Sequence, residues 1–132
     1  MRVAIDTNRY SDFARGISWV VEVLERADRV FVPLMVLAEL LAGFSVGKRG
    51  AQNEGTLRRF LARPGVDVLL PDETTAHHYA SLYRQLRRHG TPIPTNDLWI
   101  ASLVVQHDLA LLDRDSHFDS LPQLVRVETT EP

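Results

Sequence analysis

At 132 residues, with 45% apolar and 24% charged residues, the chain has the size and composition of one globular domain spanning 1–132. A net charge of -2 excludes a global basic field for gathering nucleic acid, and the lack of cysteine excludes a disulfide framework, a thiolate zinc site and a thiol nucleophile. No apolar run approaches the roughly 18 residues that span a bilayer, and Asp6 interrupts the first apolar stretch too early for a secretion signal, so a cytoplasmic protein free of the membrane is expected.

Val3-Ala4-Ile5 reads as a short buried strand that stops at Asp6-Thr7-Asn8, polar residues suited to the turn into a helix. Trp19, Val20, Val23 and Leu24 recur at helical spacing within a helix over 17–26, and Val30-Phe31-Val32 forms a second strand closed by Pro33. An apolar helix over 34–44 follows, then a Gly-rich loop with Lys48 and Arg49, then an amphipathic helix over 52–63 that ends at Pro64-Gly65. Val66 to Leu70 is a third strand, and Pro71-Asp72-Glu73-Thr74 starts a long helix running to Arg88 and stopped by Gly90. Thr95 or Asn96 caps a helix to about His107. Leu109 to Leu112 and Leu124 to Val127 complete the strands.

Apolar strands alternating with helices predict an α/β domain, a parallel sheet of four to five strands with helices on both faces. Ligands in such sheets bind beyond the carboxyl ends of the strands, where strand order reverses. Asp6 follows the first strand and Asp113 and Asp115 follow the fourth, so the topology would bring distant acids to one edge.

Glu39 is out of place in Leu34-Met35-Val36-Leu37-Ala38-Glu39-Leu40-Leu41, since a carboxylate buried among apolar residues costs several kcal/mol unless a partner or a metal compensates it. The other possibilities are an exposed helix side or a structural arginine. Asp97 lies in the first turn of its helix, where an acid complements the dipole whatever else it does. Asp6 has an alternative role as a cap and Asp115 as the partner of Arg114. One arrangement accounts for all four placements: a hard divalent cation such as Mg²⁺ takes oxygen ligands and relieves the repulsion between clustered carboxylates.

The five histidines include the adjacent pair His77-His78, which diverge by about 100° on a helix and do not share one ion, so the histidines read as surface residues. Arg84, Arg87 and Arg88, with Arg58, Arg59 and Arg63 on the preceding helix, read either as solvated helix faces or as contacts to RNA phosphates.

Asp6-Thr7-Asn8 after the first strand, Glu39 with Gly43 on a helix, Asn96-Asp97-Leu98-Trp99-Ile100-Ala101, and Arg114-Asp115-Ser116-His117-Phe118 resemble, in order and across the whole chain, the acidic motifs of PIN-domain nucleases. The match is nearest to the VapC toxins of toxin-antitoxin pairs. The resemblance implies metal-dependent hydrolysis of RNA phosphodiester bonds, with Asp6, Glu39, Asp97 and Asp115 as catalytic and metal-binding acids. It implies Mg²⁺, with Mn²⁺ able to substitute, to activate water and stabilise phosphate charge. Thr7, Asn8, Thr95 and Asn96 would orient the acids by hydrogen bonds.

By the same resemblance the chain is a homodimer restrained by a VapB-like antitoxin, which would set a basic side chain in the acidic pocket. Asp113 departs from the pattern, standing where relatives commonly carry threonine or serine. It could bind metal in place of Asp115, adjust metal affinity, or pair with Arg114.

Two rival enzyme classes, haloacid-dehalogenase-like phosphatases and response-regulator receiver domains, need a lysine in their sites. Lys48 is the chain's only lysine and lies in a loop after a helix, away from where either pattern needs it. A non-catalytic binding module of the same fold would be favoured by a missing acid, and none is missing.

Overall fold

Alternation of short apolar runs with amphipathic segments produces five parallel strands and six helices in the computed structural model, which describes residues 1–128. The last four positions of the expected 1–132 domain lie outside the described residues. Strands β1 (Arg2–Ile5), β2 (Arg29–Pro33), β3 (Val66–Leu69), β4 (Ala110–Leu112) and β5 (Val125–Arg126) form one sheet in the order β3-β2-β1-β4-β5. All four pairings are parallel. The central strand is apolar from Val3 to Ile5, each residue being 0% exposed, as expected of a strand covered on both faces.

The helices are α1 (Thr7–Ala14), α2 (Ser18–Arg26), α3 (Leu34–Val46), α4 (Gly50–Leu61), α5 (Glu73–His89) and α6 (Thr95–Gln106). A 3₁₀ turn, Ser116–Ser120, follows β4. Strand order grows outward from β1 to β2 to β3 and then jumps back across β1 to β4. Right-handed crossovers therefore place the helices of the β3–β4 connection on the face opposite those of the first two connections. None of the helices among the described residues is long and apolar enough to cross a membrane.

Local chemistry sets the element ends. Asp72 caps α5 reciprocally with Thr75, its carboxylate accepting from the Thr75 amide at 3.0 Å while the Thr75 hydroxyl accepts from the Asp72 amide at 2.9 Å. Gln106 Nε2 donates to Asp72 Oδ1 at 2.9 Å, tying the start of α5 to the end of α6. At the other end of α5, Gly90 takes the left-handed conformation, φ 69°, that ends the helix.

The structure differs from the sequence expectation most between the first two strands. The polar turn after β1 is itself a helix, α1, separate from the expected helix that follows it. Periodicity misses α1 because it buries Arg9 and Asp12 beside Tyr10. Asp12, 3% exposed, accepts from Arg9 at 3.0 Å and from Arg114 at 2.9 Å, and also pairs with Arg15. The Arg9 guanidinium lies 4.6 Å from the centre of the Trp19 ring, and its Nε donates to the Asp113 carbonyl at 3.0 Å. The network thus joins α1 to the loop after β4.

Truncating one partner of a buried ion pair leaves the other uncompensated. Asp12→Ala should therefore cost about 3 kcal/mol, chiefly by stranding Arg9, whose side chain is 8% exposed. Arg15 and Arg114 stay hydrated, at 62% and 49%. Urea unfolding of the two proteins checks this; a loss under about 1 kcal/mol would mean that Arg9 finds another acceptor.

Candidate metal centre

Parallel pairing of β1 with β4 sets Ile5 against Leu112, so the next residue on each strand, Asp6 and Asp113, emerges at the same sheet edge. The Asp6 amide continues the ladder by donating to the Leu112 carbonyl at 3.1 Å. This edge is the switch point where strand order reverses.

The Asp6 side chain caps α1. One oxygen accepts from the Arg9 amide at 2.8 Å and the other from the Arg114 amide at 3.1 Å. Both oxygens are oriented by backbone donors, and the residue is 5% exposed. Burial pushes its carboxyl from 3.8 up to about 6; the two amides oppose the shift, and the nearby charge of Asp113 adds to it.

Asp97 enters from the first turn of α6 and Asp115 from the start of the 3₁₀ turn. Their carboxylates meet the His117 imidazole. Nδ1 lies 3.0 Å from Asp97 Oδ2 and 2.9 Å from Asp115 Oδ1, and ligand atoms of all three residues fall within 4.8 Å of one another. Asp115 Oδ1 also accepts from the His117 backbone amide at 2.9 Å, which holds carboxylate and imidazole on one side of the turn. Burial and then repulsion from Asp115 raise the Asp97 carboxyl above the ordinary range. Asp115 is held low: burial opposes ionisation, but the His117 amide and ring charge outweigh it. Hydrogen bonding to Asp97 raises the imidazole.

Glu39, Pro94, Thr95, Asn96, Asp97, Asp115 and His117 line one cleft of about 510 Å³. Thr7, next to Asp6 in the chain, donates from its hydroxyl to Glu39 Oε1 at 3.2 Å. Carboxylate oxygens and one imidazole nitrogen around an open cleft are the donors a divalent cation takes, and the mutual repulsion of Asp97 and Asp115 is what a cation would relieve. The residues present fit such an ion.

Of the expected acids, Asp97 and Asp115 meet in one group and Glu39 shares their cleft, whereas Asp6 lines neither and stands at the sheet edge beside Thr7. Glu39 is exposed rather than buried among its apolar neighbours. The inference to burial fails because the outer face of α3 is itself apolar, Leu34 and Leu41 being 40% and 36% exposed. Asp113 is neither a free ligand nor the partner of Arg114. Its two oxygens accept from Arg126 of β5 at 3.0 and 2.6 Å, and its side chain is 3% exposed. Arg114 pairs with Asp12 instead.

His117 is a surface residue, as expected of the histidines, but it is not an idle one. Its side chain is 49% exposed, yet its Nδ1 belongs to the acidic cluster. The available signal was its place two residues after Asp115. Arg126 had no local signal in the sequence, because Asp113 is 13 residues away; Asp12 has Arg9 and Arg15 nearby in α1, but its third partner, Arg114, is 102 residues away. Asn8, Thr95 and Asn96 are exposed, the latter two on the rim of the cleft. Arg84, Arg87 and Arg88 are exposed on α5 and do not line the cleft.

The raised Asp6 carboxyl has a stability consequence in chelator. Below 3.8 both folded and unfolded chains hold the proton, and above about 6 the folded chain bears the full cost of a buried anion. Asp6 therefore contributes less favourably as pH rises through this window. Asp6→Asn removes that cost but offers one carbonyl oxygen to two amide donors, so a net gain of about 1–2 kcal/mol at neutral pH is expected. In a urea series the advantage should shrink as pH falls toward 4. Parallel pH profiles for the two proteins would contradict this account of the site.

Comparison with known proteins agrees with this geometry. The chain is 29% identical over 106 residues to the ribonuclease VapC2 of Rickettsia felis, covering 80% of this chain and 78% of that protein. It is 38% identical over 76 residues to the ribonuclease VapC1 of Haemophilus influenzae strain R2866, covering 56% of this chain and 54% of that one. Among solved structures, a chain of the VapBC2 complex of Rickettsia felis bound to a DNA fragment superposes with a TM-score of 0.85 at 25% identity, over 96% of this chain and 98% of the other. The PIN domain model matches residues 3–124, almost the whole of the described fold, and the chain belongs to the PIN domain family.

Proposed function

We propose that this chain is a Mg²⁺-dependent ribonuclease, able to use Mn²⁺ in its place, and the toxin of a VapBC-type toxin-antitoxin pair acting in the cytoplasm. The observation that carries the reading is the convergence of Asp97 and Asp115, from α6 and the turn after β4, on a cleft shared with Glu39. Its relatives of known name are VapC ribonucleases. A divalent cation in this site supplies Lewis acidity, both to activate a water and to stabilise negative charge on the attacked phosphate.

The chain's own groups do the positioning. Asp97 and Asp115 supply paired carboxylates, Asp6 supplies a third, oriented by the Arg9 and Arg114 amides, and Glu39 is held by the Thr7 hydroxyl. Thr95 and Asn96 on the rim, and Asn8 in the first turn of α1, are the further hydrogen-bonding groups of this reading. Arg84, Arg87 and Arg88 are the proposed phosphate contacts, which suit charge without reading sequence. Asp113 acts through Arg126, which it holds against the loop carrying Asp115; Arg126 also donates to the Asp115 carbonyl at 3.2 Å. A non-catalytic module of the same fold is disfavoured because the named relatives are VapC ribonucleases and none of the expected acids is missing from the sequence.

Purified protein tested on a panel of structured RNAs should cleave with Mg²⁺ or Mn²⁺ and stop with chelator. Asp6→Asn or Asp97→Asn should lower the rate by about 100-fold or more, the scale of losing one group that stabilises developing charge. Asp113→Thr should leave cleavage detectable, whereas Asp115→Asn should not. Cleavage persisting in both the Asp6 and Asp97 variants would refute the catalytic assignment.

The VapBC complexes among its structural neighbours support a VapB-like antitoxin as partner, and a homodimer of the toxin belongs to the same reading. A basic side chain of that partner in the cleft would neutralise the carboxylates and exclude both metal and substrate. Co-expression with the product of the adjacent small reading frame should yield a complex with little cleavage. A chain that stays free and harmless beside that product would remove the toxin assignment and leave the nuclease one.

A further inference from the structure

His117 is the one member of the metal-binding group that offers nitrogen, and a purely acidic site does not explain its position. Its Nδ1 stands 3.0 Å from Asp97 Oδ2 and 2.9 Å from Asp115 Oδ1. Neighbouring ligands on an octahedral cation with bonds of about 2.1 Å are separated by about 3.0 Å, so Nδ1 has the spacing of an adjacent ligand from each of the two oxygens, and the ligand atoms of all three residues lie within 4.8 Å of one another. The imidazole is also held in place from its own backbone. Asp115 accepts from the His117 amide at 2.9 Å, and Phe118, next in the chain, is 1% exposed and anchors the turn in the core.

We propose that His117 Nδ1 is a ligand of the divalent cation and that it shifts the site's preference from Mg²⁺ toward Mn²⁺ and Co²⁺. The inference rests on the metal-dependent reading above and adds the specificity of the ion. Mg²⁺ is hard, favours oxygen and gives up its water reluctantly, so an imidazole gains little from it. Affinity for nitrogen-containing sites rises from Mn²⁺ to Co²⁺, and imidazole suits these ions while carboxylate suits both classes. Replacing one carboxylate or water position by imidazole therefore strengthens transition-metal binding selectively. The half-exposed ring leaves the cleft open to substrate while contributing one edge of the ligand set.

The test measures binding, not cleavage. Mn²⁺ is added to the purified chain and followed by electron paramagnetic resonance, with pulsed detection of nitrogen coupling. Titration calorimetry then compares Mg²⁺, Mn²⁺ and Co²⁺ on the wild type, His117→Ala and His117→Asp. The expected result is histidine nitrogen coupling to Mn²⁺ in the wild type that disappears in His117→Ala. Co²⁺ affinity should fall by about tenfold or more, the scale seen when a metal site loses a supporting group, while Mg²⁺ affinity changes by less than about twofold. His117→Asp should favour Mg²⁺ relative to the wild type.

Mn²⁺ binding without nitrogen coupling, or an unchanged Co²⁺ to Mg²⁺ ratio in His117→Ala, would overturn the inference and leave the metal-dependent reading standing. A wild-type chain that binds none of the three ions would overturn both.

Discussion

Lateral pairing of β1 with β4 is the constraint from which the site follows. It is a long-range contact, joining Ile5 to Leu112, and it costs loop entropy that only burial of the whole sheet offsets. Once made, it brings the ends of two strands together, so that the Arg114 amide reaches the Asp6 carboxylate and the turn after β4 can carry Asp115 and His117 toward Asp97. A shift of register would alternate the strand faces and move these residues away together.

Two treatments of charge stand close together at that edge. Asp12 and Asp113 are almost completely buried, and each is matched by guanidinium donors, from Arg9, Arg15 and Arg114 in one case and from Arg126 in the other. Asp6 is given two backbone amides, and Asp97 and Asp115 a histidine and, for Asp115, its amide, with no arginine side chain bonded to these three carboxylates among the described residues. The first set stabilises the chain. The second is left without cationic partners of that kind: burial raises the carboxyls of Asp6 and Asp97, with the charge of Asp113 adding at Asp6 and that of Asp115 at Asp97. Such a set is costly in the folded chain and suited to a cation. Arginine pairs surround the site and hold its loop, and their absence from the cleft keeps the carboxylates available.

The sequence carried this division only in part. Asp6, Asp97 and Asp115 were legible because each stands at an element end with polar neighbours in a recognisable order, and order along the chain survives without coordinates. Glu39 stood out in the sequence for the wrong physical reason. Its apolar neighbours suggested burial, whereas α3 exposes apolar side chains beside it. Asp113 and Asp115 share the same local pattern, and the choice between them depends on Arg126, contributed by the last strand. No local rule contains that information.

By itself the sequence determined the alternation of strands and helices, hence the parallel α/β class, and the identity of the acids that end up at the sheet edge. Those properties follow from hydrophobic period, caps and motif order, all local along the chain. Tertiary structure decided which carboxylates are free and which are paired, the burial of Asp6 and Asp12, and the placement of His117 among the acids. These depend on charges brought together across as many as 108 positions of chain, as Arg114 is to Asp6. Electrostatic energy varies with distance in space, and spacing in the sequence sets that distance only after the sheet has formed.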